Sequence, residues 1–82
     1  SDWLELKGHG DALRGEIARE YPDLHPAWLL VVWAHVDTGQ MSYTYPAAMT
    51  RQETVALYGV LERLGYPVSD VERARLHPET GE

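Results

Sequence analysis

The sequence predicts a small α+β domain, and three observations carry that expectation. "TRQETVALYGVLERLG" is a capped helix with a repeating apolar stripe, "MSYTY" alternates strictly after a turn-forming "DTG", and Leu13, Ile17 and Tyr21 recur at helical spacing. Helices flanking a hairpin, rather than alternating regularly with strands, are the mark of the α+β class. With 82 residues the chain makes one domain. It is expected to be compact over 1–76, with "HPETGE" at 77–82 as a frayed tail.

The first element is "DWLELK", where Leu4 and Leu6 point to one side and Trp3, Glu5 and Lys7 to the other. This is the pattern of a short strand, able to join the hairpin as a third. "GHG" breaks it, and Asp11 reads as the N-cap of a helix that buries Leu13, Ile17 and Tyr21. Gly15 weakens that helix by up to about 1 kcal/mol relative to Ala. Pro22 and Pro26 bracket the connection "PDLHP" and push the residue before each out of helical geometry.

The segment "AWLLVVWAHVDTGQMSYTYPAAM" has two readings. As a helix, Pro26 takes the first position and Gly39 lies just past the end. As a hairpin, "WLLVVWAHV" supplies β-branched and aromatic residues and "MSYTY" the returning strand. A helix apolar almost all round is hard to bury in so small a domain, which favours the hairpin. A two-residue turn would force Thr38 to positive φ, so a three-residue loop over Asp37–Gly39 is expected, with Gly39 left-handed. That loop sets Val36 opposite Gln40, His35 opposite Met41, Trp33 opposite Tyr43 and Val31 opposite Tyr45. The core face is then Leu29, Val31, Trp33, His35, Met41, Tyr43 and Tyr45. The other face carries Trp28, Leu30, Val32 and Ala34 beside polar Gln40, Ser42 and Thr44, as for an inner strand next to an edge strand.

Two C-terminal helices follow, packed on one face of the hairpin. Thr50 and Glu53 make a capping box, Leu57, Val60, Leu61 and Leu64 the buried stripe, and Gly65 the stop. Gly59 marks a close helix–sheet approach. "SDVE" is a second capping box, opening a helix over Ser69–Leu76 whose apolar side is Val71, Ala74 and Leu76.

Composition narrows the function. Cysteine is absent, which removes disulfides, thiolate metal sites and thiol catalysis. The net charge of −6 argues against nucleic acid, because binding there comes from Lys and Arg neutralising phosphates. The longest apolar run, Ala27–Ala34, is too short to span a bilayer, and no basic-then-apolar leader opens the sequence. A cytoplasmic location is the expectation.

The functional reading is a non-catalytic acidic protein–protein interaction module, acting through a protein partner or as a homo-oligomer, with an inhibitor of a basic groove as a variant. Its expected contact residues are Trp28, Leu30, Val32 and Ala34 on the second sheet face, with Gln40, Ser42 and Thr44 on an edge open to strand addition. No catalytic residue, metal ligand or cofactor is assigned. The alternative is a small enzyme or metal protein centred on His35, Asp37 and His9, where His-x-Asp places two ligands on one strand face but no third is evident. A further alternative makes the C-terminal helices a helix-turn-helix, although Asp70 and Glu72 in the second helix's first turn would repel phosphates.

Overall fold

A computed structural model describes residues 2–46 and 48–76. Six elements follow in order: β1 (Trp3–Glu5), α1 (His9–Glu20), β2 (Val31–His35), β3 (Met41–Thr44), α2 (Arg51–Leu64) and α3 (Asp70–Leu76). The architecture is the expected α+β domain, and the third strand forms. The sheet order is β1-β2-β3 with both pairings antiparallel, so β2 is central. The expected 77–82 tail lies outside the described residues.

The hairpin is present, but its register differs by one residue from the expectation. Val32 stands opposite Tyr43, Trp33 opposite Ser42 and Ala34 opposite Met41. The His35 N–H donates to the Gln40 carbonyl at 2.8 Å and the Gly39 N–H to the His35 carbonyl at 3.1 Å, so the loop has Val36 as an extra member. Three local bonds hold it. The Asp37 and Thr38 N–H groups donate to His35 Nδ1 at 3.2 and 3.3 Å, and the Gln40 N–H donates to Thr38 Oγ1 at 3.2 Å. Val36 itself is claimed by the other side of the sheet, its N–H donating to the Asp2 carbonyl at 2.9 Å. Gly39 takes the left-handed conformation (φ 75°), as the turn chemistry requires.

A one-residue slip exchanges faces. Tyr43 still faces the core, now with Leu30 and Val32 from the first strand rather than Val31 and Trp33. Leu30 is 3% exposed and Val32 fully buried, against Leu13 and Ile17 of α1, Ala56, Leu57, Val60 and Leu61 of α2, and Leu76 of α3. Burying these side chains contributes about 1.5–3 kcal/mol each for the larger ones. The helices therefore cover the sheet face that a shorter loop would leave open.

Helix α1 starts three residues earlier than Asp11 as N-cap indicates. Gly8, at φ 86°, is the N-cap, and Asp11 instead pairs with Arg14 in the first turn. Gly10 lies against the Leu30 carbonyl so closely that a Cβ would stand 1.8 Å from the oxygen. Close backbone approach thus occurs here and not at Gly59, where a Cβ would meet only Tyr21 Oη at 3.8 Å. Tyr21 closes the helix 38% exposed, outside the stripe made by Leu13 and Ile17.

Helix α2 follows its signals. Thr50 and Glu53 exchange both capping-box bonds, at 3.1 and 2.9 Å. Gly65 is left-handed, and the Tyr66 N–H returns to the Leu61 carbonyl at 2.9 Å, a Schellman end. Leu64, expected in the stripe, is 42% exposed, and Ala56 is buried instead. Helix α3 is rotated from its expected setting. Val71 is 69% exposed and Ala74 exposed, whereas Glu72 is 8% exposed and shares the inner side with Leu76. Half of the second capping box forms, the Glu72 N–H donating to Ser69 Oγ at 3.2 Å. The Glu72 carboxylate turns elsewhere and accepts the Tyr45 hydroxyl at 2.7 Å.

Candidate functional site

The face of the sheet turned away from the helices is built by alternation. Trp3 and Glu5 of β1, Val31, Trp33 and His35 of β2, and Ser42 and Thr44 of β3 share it. None of them belongs to the core cluster, and Leu29, on the same side ahead of β2, is 70% exposed. Trp33 sits at the centre, between Glu5 and Ser42 in the register, and its indole N–H donates to Thr44 Oγ1 at 2.9 Å. Trp3 stands edge-on to His35, ring centroids 5.0 Å apart and planes at 86°. Each of the two indoles on this face thus has a polar or aromatic partner. Val36, in the loop beyond β2, is 52% exposed.

Three acidic residues and one basic residue, Lys7, border the face. Glu5 is the acidic member within the strands, and Asp2 and Asp37 lie at the ends of β1 and β2. Asp2 places its carboxylate 4.0 Å from His35 Nε2. Because Nδ1 accepts the turn amides, a neutral His35 carries its proton on Nε2, toward Asp2.

The strand edge is a second feature. The His35–Gln40 bond sets the alternation, so odd residues of β2 bond to β3 and even ones to β1. The N–H and C=O groups of Met41 and Tyr43 therefore point away from β2, along the outer edge of β3. Beside this edge lies an open cavity of about 300 Å³, walled by Met41, Ser42, Trp3, Pro67, Val68 and Glu72. Tyr43 anchors its far side by donating its hydroxyl to the Pro67 carbonyl at 2.6 Å. Burial, reinforced by the Glu72 charge, pushes the hydroxyls of Tyr43 and Tyr45 well above the ordinary tyrosine range.

The residues expected to meet a partner are thus divided. Leu30 and Val32 are core, and Trp28 and Ala34 are half-buried, Trp28 packed against the core. Their assignment to an open face fails because it depends on the shorter loop. Ser42 and Thr44 do lie on the edge strand, with Gln40 just ahead of it in the loop. The residues missed are Trp3, Leu29, Val31 and Trp33; a bond from Val36 to Asp2, outside the hairpin, is needed to find them.

His35, Asp37 and His9 do not converge. His35 is committed to the loop, while His9 Nδ1 lies 2.8 Å from the Tyr66 hydroxyl at the start of α1. Among the described residues no three His, Asp or Glu side chains are arranged to hold a metal ion. No described helix is long and apolar enough to cross a membrane. Helices α2 and α3 are joined through residues 65–69, but Glu72 of the second lies within the fold.

Fold and site together define a small α+β domain with one helix-covered sheet face and one open aromatic face. Compared with known proteins, the chain matches no family model, no curated protein and no solved structure.

Proposed function

We propose that the chain is a non-catalytic, acidic protein-interaction module that meets a protein partner through the outer face of its sheet and the β3 edge. The observation that carries this reading is the open face itself: Trp3 and Trp33 held by ring contact and hydrogen bond, with exposed Leu29 on the same side ahead of β2. Rigid aromatic side chains on a surface are the residue type that dominates binding energy at protein interfaces. A chain this small, with no disulfide, also gains stability by covering such a face. The partner is expected to be basic. Two copies of a chain carrying a net charge of −6 repel each other, whereas a cationic surface is attracted to Asp2, Glu5 and Asp37.

The test is a double variant, Leu29→Asp with Trp33→Ala, compared with the parent. Both should give native far-ultraviolet circular dichroism. The parent, cross-linked in extract of its host, should capture a protein of basic surface and form a defined complex with it in sedimentation, while the variant should not. A folded variant that matches the parent in association state and partner capture would overturn the reading.

A further inference from the structure

We infer that the cavity beside β3 is a recognition pocket for an arginine side chain, presented by a partner strand that adds to the β3 edge. This inference rests on the interaction reading above and names the chemistry of its specificity. Three observations converge. The edge offers the backbone groups of Met41 and Tyr43 for strand pairing, and an added strand places alternate side chains on the side of the sheet where Met41 packs. The cavity, of about 300 Å³, opens next to those residues and has room for one long side chain. Glu72 is the charged residue in its wall, 8% exposed, its carboxylate held by Tyr45 and its backbone N–H by Ser69.

The remaining wall selects among cations. Met41, Pro67 and Val68 supply apolar surface for the methylene stem, and Trp3 an indole. A planar guanidinium can stack on an indole while donating to a carboxylate, which a compact ammonium does less well. The basic residues of α3 are turned to other work. Arg75 lies over the Tyr45 ring, 4.9 Å from its centroid, and Arg73 pairs with Asp70 at 3.7 Å; neither lines the cavity. Among the described residues Glu72 makes no ion pair, and the bond that orients its carboxylate comes from a neutral hydroxyl.

The experiment uses the intact chain and a capped pentapeptide, Thr-Val-Arg-Val-Thr, with citrulline, norleucine and lysine replacing arginine in sister peptides. Amide chemical shifts are followed by NMR. The arginine peptide should perturb Met41, Ser42, Val68 and Glu72, and citrulline, the neutral isostere, should bind about tenfold or more weakly, as loss of a hydrogen bond to a charged group implies. Lysine should fall between the two. Glu72→Gln should remove the preference for arginine over citrulline. Because the peptide series leaves the protein unaltered, the result does not depend on that variant folding. Equal binding of arginine and citrulline, binding of neither, or perturbation confined to other surfaces would each overturn the pocket. If partner capture still depends on Leu29 and Trp33, the interaction reading survives that failure. An arginine preference at the pocket without capture through the outer face would support the pocket and overturn the role given to that face.

Discussion

Gly10 and the Leu30 carbonyl are in backbone contact: a single added methyl on Gly10 would stand 1.8 Å from that oxygen. Helix α1 rests on the chain leading into β2 at this point, and no side chain separates them. Gly10→Ala should therefore destabilise the domain by roughly 3 kcal/mol, because backbone must move to make room. Gly15, in the same helix, has nothing within 4 Å of its Cβ position, and Gly15→Ala should stabilise by about 0.5–1 kcal/mol. Urea unfolding of both variants checks the contrast. Changes of the same sign would refute the close approach.

The register makes neighbours behave in opposite ways. Leu30→Asp buries an unpaired charge in the core and should abolish folding, as read by loss of the far-ultraviolet dichroism. Leu29→Asp, at a position 70% exposed, should change stability by no more than about 0.5 kcal/mol. Cross-strand NMR contacts should join Val32 to Tyr43 and Trp33 to Ser42. Contacts from Trp33 to Tyr43 as directly opposed residues would restore the shorter loop.

Tyr45 and Glu72 tie the end of the hairpin to α3. Tyr45→Phe removes the donor and leaves a buried carboxylate with less compensation, so a loss of about 1–3 kcal/mol is expected. Glu72→Gln retains an acceptor for Tyr45 and should cost less. A double-mutant cycle across the pair, read by thermal unfolding, measures the coupling. Additive effects would mean that the bond carries no energy of its own.

The same hydroxyl, together with that of Tyr43, sets a pH limit. Burial disfavours the phenolates of Tyr43 and Tyr45, and Glu72 adds to it, so both folded values lie above the unfolded one. Below the ordinary tyrosine value, about 10, both states keep the proton and this contribution is fully present. As pH rises past it, the unfolded chain releases protons that the folded chain retains, and stability falls. Tyrosinate absorbance should therefore rise in two stages, with Tyr43 and Tyr45 ionising only as the fold is lost. A single simple titration of all five tyrosines with retained dichroism would contradict their burial.

What the sequence reveals is local. The Thr50–Glu53 box, Gly65, Gly39 and the Leu13–Ile17 stripe are each decided within about one turn of chain, and each stands where its neighbours in sequence put it. The hairpin's faces depend on something distant. Whether Val36 belongs to the loop or to the ladder is settled by Asp2, just ahead of β1 and more than thirty residues earlier, and by the imidazole of His35 accepting the turn amides. Glu72 is equally hidden, since a carboxylate is ordinarily read as the solvent side of a helix. Only the Tyr45 hydroxyl, brought across from the hairpin, gives it a reason to face inward.

The pairing of Trp3 with His35 encloses the whole of α1 between two neighbouring strands. As the chain is synthesised, β1 emerges first and has nothing to join until β2 follows it. The helix can form early, but its contact through Gly10 also waits for Leu30. Closing this long loop is an entropic cost met before the reward of the long-range contacts, which places β1 pairing late in folding. Moving the first eight residues to follow β3 would not shorten the route, because the partner edge of β2 lies on the opposite side. The order of the chain therefore predicts that β1 joins the sheet after the local β2–β3 hairpin has formed.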